Sequence, residues 1–488
     1  MLYFLLPNVN MYVYKTIDCI FSDTCPEIFI SNSLSNYLYE IKNKIKGFEQ
    51  EWDFFKKYTN PYEFINTLIP GKNKCISKYK PLSRSYFKMV EILRFFFFDY
   101  HNMNVQNDCD LKIPPSTLLF PNKSAIRTFH LAEGPGGFIE AMVNLRKNRN
   151  DLYVGMTILD DSSVDHSHND TNIPGWKKSD HFIRSNPNVR IETGADGTGN
   201  ILSLENLIHC RELYGSSMDF ITADGGFDFS ADFNQQETNI ASLLFAQMCY
   251  AICLQKQGGH FVLKLFDTFM EHTLDILYIL SSVYKKVYIT KPQTSRYANS
   301  EKYLVCKNFI FPNDVHMFPY IKAAFQKMID KSYQKLHISR FLGNLNISTF
   351  FLYRIEEYNA IFGQQQIENI YQTIILIETK NKHVTRYIDG FIEQRNSIAN
   401  PSKIGGRSLE TFSDEQYRTT SESDGNGNTD INNSLVTTES VGSFFSKKQD
   451  HYKHKHMENN SKLENLTKIH IQKCIQWCVD HDVAYFYL

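Results

Sequence analysis

Between residues 126 and 312 short apolar runs alternate with helix-patterned stretches, and few architectures accept that rhythm. The runs read IRTFHLA, LYVGMTI, VRIETG, MDFITAD, GGHFVLKLF, KVYITKP and KYLVCKNF. Strands that alternate with helices predict an α/β fold on a mostly parallel sheet, with the intervening helices covering its faces. The flanks read differently. Residues 1–75 are expected to form an N-terminal helical extension, 76–312 the α/β domain, and 313–399 a helical C-terminal extension built on runs such as FPYIKAAFQKMI and IENIYQTIILIE. From 400 to 465 Ser, Thr, Asn, Gly and charge dominate, the composition of a disordered linker, and 466–488 regains apolar content as an element expected to dock back.

Composition removes several classes. The chain of 488 residues carries a formal charge of -1, so it lacks the global basic field that gives sequence-blind nucleic-acid binding, and any such contact must be local. Ten Cys residues lie scattered without a C-x-x-C pair, which argues against structural zinc and against a disulfide framework and favours a reducing compartment. Cys249/Cys253 and Cys474/Cys478, spaced i, i+4, read as core-facing thiols on helices. His451, His454 and His456 sit in a polar tract where solvated histidines are the ordinary outcome, so no metal site is expected. The first residues, MLYFLLPNVN, make a poor signal peptide, and no stretch has the ~20 apolar residues that a membrane helix needs. The chain reads as soluble, with no membrane partner; host nucleus, host cytoplasm and virion all fit it.

The stretch FHLAEGPGGFIEAM leaves a strand-like run, passes Glu133, Gly134, Pro135, Gly136 and Gly137, and restarts as a helix at Phe138. A strand–glycine turn–helix unit presents backbone N–H groups and positive dipole at one point. The spacing is neither G-x-G-x-x-G nor a P-loop, so neither pyrophosphate cradle fits and a nicotinamide-dependent oxidoreductase is disfavoured. Asp160 follows the next strand-like run and Asp196 the third, in ETGADGTGNI. Acidic groups after successive strands suit ribose hydroxyls and an adenine amine at the carboxyl edge of an open sheet. The pattern is that expected for S-adenosylmethionine, although turn-forming Asp residues would give the same spacing.

Asp224 in FITADGGFDFS, Lys264 in GGHFVLKLFD and Glu301 in KPQTSRYANSEKYLVC each lie inside or just beyond a strand-like run, where a lone buried charge is costly. Grouped, they satisfy one another, as in a structural salt bridge or in a site where a desolvated lysine acts on a proton. With SRSYFKM, EGPGGF and ADGTGNI these motifs resemble the FtsJ-like (RrmJ-like) ribose 2′-O-methyltransferases over roughly residues 80–312. The resemblance is strongest to the branch that methylates the first transcribed nucleotide of capped mRNA in eukaryotes and large DNA viruses. It implies a Rossmann-like S-adenosylmethionine-dependent methyltransferase fold, and a Lys-Asp-Lys-Glu tetrad falling on Lys88, Asp224, Lys264 and Glu301. It also implies cofactor contacts from Glu133, Gly134, Pro135, Gly136, Gly137, Phe138, Asp160, Asp196 and Asp224. Glu133 stands where many relatives carry Asp or Cys, and the polar insert after residue 400 is not a family feature; neither touches the tetrad.

The tetrad's residue types suit transfer of a methyl group to a ribose hydroxyl: Lys264 orients the hydroxyl and accepts its proton, while Lys88 adds positive potential to the developing alkoxide. Arg84, Arg296, Tyr297 and Lys302, with Lys291 and the cluster from Lys72 to Arg84, are the RNA-contact candidates by proximity to the tetrad. The expected partner is RNA, a capped mRNA 5′ end first, together with other capping or transcription proteins. Two alternatives stay open: methylation of an internal rRNA or tRNA ribose, and a catalytically silent RNA-binding subunit of a capping complex.

Overall fold

The computed structural model describes residues 1–98, 120, 124–159, 175–226, 234–332, 334, 336–399 and 462–487, with only the backbone given for 332 and 381–399. The chain divides into two compact units, Met1–Ile374 with Ile469–Leu488, and Ile375–Lys468; the sheet and the site lie in the first. All seven strand-like runs are strands. They are β3 (Arg127–Leu131), β4 (Leu152–Met156), β5 (Val189–Glu192), β6 (Met218–Ala223), β7 (Gln255–Leu265), β8 (Tyr284–Thr290) and β9 (Lys302–Phe309). An eighth, β1 (Tyr3–Leu5), pairs antiparallel with β8, giving the order β1-β8-β9-β7-β6-β3-β4-β5.

The five strands β7, β6, β3, β4 and β5 run parallel, and β9 is antiparallel to both of its neighbours, β7 and β8. The parallel part begins at β3, winds outward to β4 and β5, then returns to lay β6 and β7 on the other side of β3. Strand order therefore reverses between β3 and β6, and an open α/β sheet binds ligands outside the carboxyl ends of the strands at such a reversal. Glu133 follows β3 and Asp224 follows β6, so the reversal brings them to one edge.

Alternation decides which side chain meets which layer. Phe129, Leu131, Leu263 and Leu304 pack into one core, whereas Phe220, Val262, Tyr303 and Val305 pack into the core on the opposite face. The helix Ala241–Leu254 is apolar around its whole circumference because it is enclosed, and every residue from Leu243 to Leu254 is buried. It holds Cys249 and Cys253 at 0% exposure, and Cys474 and Cys478 are buried in the other core.

Both flanks carry the helices read for them and add short strands to these. β1 joins the central sheet, and β2 (Ile17–Ser22) pairs antiparallel with β10 (His337–Leu342), a strand between the helices of the C-terminal extension. These strands are short and half-exposed, so their apolar period is too brief to distinguish from a helix turn. Helix does occupy Thr349–Ala399 and residues 462–480. The linker expected from 400 lies outside the described residues as far as 461. Among the described residues, no helix is long and apolar enough to cross a membrane.

Candidate active site at the strand reversal

Three elements converge on the carboxyl edge. The helix Ser85–Phe97 carries Lys88, whose Nζ donates to Glu301 Oε2 at 2.7 Å. The penultimate residue of β7 is Lys264, and its Nζ donates to the Asp224 carbonyl at 2.7 Å and lies 3.3 Å from Asp224 Oδ1. Glu301, immediately before β9, also accepts from Ser295 Oγ at 2.8 Å. The structure thus brings Lys88, Asp224, Lys264 and Glu301 together as two ion pairs, each side chain between 10% and 15% exposed. Burial opposes charge on Glu301, but Lys88, Lys264 and Lys291 outweigh it and hold the carboxyl down at about 2, so it is a fixed anion.

Tyr303 lies directly across from Lys264 on the neighbouring strand, and its hydroxyl donates to Asp224 Oδ1 at 3.1 Å. Gln247, buried in the apolar helix Ala241–Leu254, accepts from the Gly225 N–H and fixes the turn after Asp224. The loop carrying Ser295 and Glu301 is pinned by a carboxylate that sequence reasoning passed over. Glu91, 1% exposed and raised in pKa by burial, accepts from the Gln293 and Thr294 N–H groups at 2.6 and 2.9 Å and from Trp477 Nε1 at 2.8 Å. A signal existed: Glu91 is the lone acid in VEILRFFFF and sits i+3 from Lys88.

Glu133 donates nothing to the ion pairs. It is 3% exposed, one oxygen accepts from the Phe138 N–H, and Oε2 has no hydrogen-bond partner among the described residues. Burial first, and then the charge of Asp224, push its pKa well up, which favours the neutral carboxyl over the charged one. Around it, Gly136 has φ +100° and its missing Cβ makes room for Trp176, while a Cβ on Gly137 would overlap the Ser83 and Ser85 hydroxyls. The bare backbone therefore serves packing as well as ligand approach. Ser179 Oγ donates to the Pro135 carbonyl and ties the turn down. The Phe138 side chain is 0% exposed and packs 6.0 Å from the Tyr303 ring, so any contact it makes with a ligand falls to its backbone.

Asp196 is a turn former in the structure. Its Oδ1 accepts from the Thr198 N–H, Thr198 Oγ1 and Asn206 Nδ2. The loop it shapes lies over the end of β4, where the Leu159 N–H donates to the Thr198 carbonyl and a Cβ on Gly199 would collide with Thr157. Asp160 lies outside the described residues.

The expected RNA contacts fare unevenly. Arg84 and Arg296 both donate to Glu63, whose carboxylate is 0% exposed; burial opposes its charge, but the two guanidiniums hold its pKa at about 2. That node fixes the loop to the segment before the helix Ser85–Phe97 and leaves both Arg side chains engaged. Tyr297 is half-buried, its N–H donating to Asn60 Oδ1 at 2.7 Å. Lys302 is not on the site's surface. One residue from Tyr303 on the same strand, it points through the sheet to the opposite layer, with its Nζ 5.4 Å from the Tyr358 ring centroid, and burial lowers its pKa to about 8. Lys291 is likewise buried, its Nζ held by the Asn299 and Glu301 carbonyls, and burial lowers its pKa to about 7.

With the geometry in place, comparison with known proteins gives a consistent result. Residues 81–309, slightly less than half of the chain, match the FtsJ-like methyltransferase family. The chain is 34% identical over 188 residues to the "Cap-specific mRNA (nucleoside-2'-O-)-methyltransferase 1" of Leishmania braziliensis, covering 37% of this chain and 44% of the relative. It is 33% identical over 196 residues to the protein of the same description in Trypanosoma brucei brucei, covering 39% and 48%. To the "Cap-specific mRNA (nucleoside-2'-O-)-methyltransferase 2" of Drosophila melanogaster it is 26% identical over 291 residues, covering 54% and 38%. The matched stretches span less than half the length of each of these relatives.

Proposed function

Taking residues 81–309 as an FtsJ-like methyltransferase domain, we propose that this chain transfers a methyl group from S-adenosylmethionine to a ribose 2′-hydroxyl of RNA, at the first transcribed nucleotide of capped mRNA. The observation that carries the reading is the paired arrangement of Lys264 with Asp224 and Lys88 with Glu301 at the strand reversal. The cap preference is supported by the descriptions of the relatives. When bound, the cofactor supplies a methyl group on a positively charged sulfur. The chain's own groups fit it: the buried Glu133 Oε2 has no partner among the described residues and is open to a ligand's polar group, and the turn Gly134–Phe138 opens the helix Gly137–Arg146 toward the same edge. Glu133, that turn, Asp224 and the loop shaped by Asp196 are the groups that would hold it.

A ribose hydroxyl is a poor nucleophile until its proton is drawn away. Lys264, oriented by the carbonyl and carboxylate of Asp224, takes that proton when it stands as the neutral amine, having first released one of its own protons to water, and Tyr303 keeps the Asp224 carboxylate aimed. Lys88 contributes positive potential where negative charge gathers on the oxygen, and the Glu301 anion holds the lysine in place. Holding both reactants in line supplies the remainder of the acceleration.

The test is incubation of the purified chain with radiolabelled S-adenosylmethionine and three RNAs of one sequence, cap-0, cap-1 and uncapped triphosphate. Label should enter cap-0 RNA alone, and Lys264→Ala should lower the rate by about 10²- to 10⁴-fold with cofactor affinity retained. Equal labelling of all three RNAs would move the target to an internal ribose.

A further inference from the structure

A second feature lies on the surface ahead of the tetrad. The chain is charge-balanced, 52 Lys and Arg against 53 Asp and Glu, yet residues 64–90 contain no acid at all. They carry Lys72, Lys74, Lys78, Lys80, Arg84 and Lys88. The last two are engaged by Glu63 and Glu301. The first four are exposed, and among the described residues no carboxylate pairs with them.

The fold adds to this strip a segment more than 400 positions away. Ser77 forms an antiparallel bridge with Tyr485, the Lys78 N–H donates to the Ala484 carbonyl at 2.8 Å, and the Phe486 N–H donates to the Ile76 carbonyl at 2.9 Å. Lys74 and Lys78 place their ammonium groups 5.2 and 5.5 Å from the Phe486 ring centroid. Tyr487 stands beside them 87% exposed, its ring 5.2 Å from that of Tyr485, and Tyr79 is 37% exposed. Water-facing aromatic rings set among unpaired cations are what single-stranded nucleic acid needs: charge for phosphates and faces for bases. The strip also points at the chemistry. Tyr79 Oη and the Leu82 N–H both donate to Glu140, so residues 79–82 lie on the helix that the glycine turn opens, and the chain then runs into the helix of Lys88.

We infer that residues 72–80 and 484–487 form one surface that binds the single-stranded RNA body downstream of the methylated nucleotide. This rests on the reading of the chain as an RNA methyltransferase, but its test does not need methyl transfer. An acidic peptide would satisfy the lysines and leave the rings without a purpose, so RNA is the better match.

The experiment measures fluorescence anisotropy of the full chain with cap-0 RNAs of 5 and 20 nucleotides across a salt series. Two variants are compared with the parent: one with Lys72, Lys74, Lys78 and Lys80 all replaced by Gln, and Tyr485→Ala/Tyr487→Ala. Melting curves check that both are folded. The lysine variant should bind the 20-mer about 100-fold more weakly, with the slope of log affinity against log salt reduced by about 3. The tyrosine variant should lose about tenfold on the 20-mer with its salt slope unchanged. The 5-mer, offering fewer phosphates and bases to the surface, should lose less than the 20-mer in both. Unchanged 20-mer affinity, or equal losses for both lengths, would overturn the inference. So would displacement of the 20-mer by polyglutamate at equal charge concentration, which would assign the lysines to an acidic protein. Length-dependent binding in a chain that methylates none of the RNAs would sink the proposed activity and leave the surface standing.

Discussion

His130 shows how far a single side chain can depart from its solution behaviour. It is fully buried in β3 between Thr128 and Thr222, whose hydroxyls bond its two ring nitrogens at 2.8 and 2.7 Å, and burial lowers its pKa to about 3. Above an unfolded value of about 6.5 the ring is neutral in both states. As pH falls below that, the unfolded chain takes up a proton that the native chain refuses, so stability drops until about pH 3 is reached. Raised carboxyls such as Glu133 and Glu237 act in the opposite sense over the same range, so the effect must be read against a variant. The stability advantage of the parent chain over His130→Gln should therefore shrink by about 1.4 kcal/mol between pH 7.5 and 5.5, measured by urea unfolding at both values. Glu63 makes the complementary case at a buried anion. Glu63→Gln leaves Arg84 and Arg296 without their shared charge and should cost about 2 kcal/mol by the same assay, while lowering methyl transfer because the loop of Glu301 is anchored there.

Between elements, the contact that sets the site is the close approach of the helices Ser85–Phe97 and Gly137–Arg146. It depends on Gly137, where any Cβ would meet the Ser83 and Ser85 hydroxyls and the Tyr86 backbone. Gly137→Ala should push the first helix outward, costing about 1–3 kcal/mol and moving Lys88 off Glu301. Kinetics should then show kcat falling more than KM rises, and a melting curve should report the lost stability. The element scale also explains why Lys302 misleads in the sequence. It stands next to Glu301 and Tyr303, but strand alternation sends it through the sheet to Tyr358 while Tyr303 faces Asp224.

At the scale of the whole molecule, residues 469–487 close the structure. Trp477 is 1% exposed against Phe87, and its indole N–H completes the set of donors around Glu91 that pins the loop of Glu301. Trp477→Phe keeps most of the packing and removes the donor, which should cost about 1–2 kcal/mol and lower kcat without changing cofactor affinity, as read by calorimetric titration and initial rates. The alternation of runs from 126 to 312 determined seven of the sheet's eight strands, and Asp224, Lys264 and Glu301 were legible because charge inside or beside an apolar run has few innocent explanations, whereas Lys88, in a basic stretch, was placed only by the family resemblance. The supporting set was not legible. Glu63 and Trp477 carry no mark of their own in the sequence and Glu91 only that of a lone acid in an apolar run, and their roles exist only because segments hundreds of positions apart meet at one edge of the sheet. Spacing along the chain settled the seven strands between 126 and 312, while the short strands β1, β2 and β10 escaped it, and it settled which charges demand partners, since periodicity and desolvation are local properties. Tertiary structure alone decided which partners they found, because a partner is chosen by distance in space and strand order, and neither is encoded in spacing along the chain.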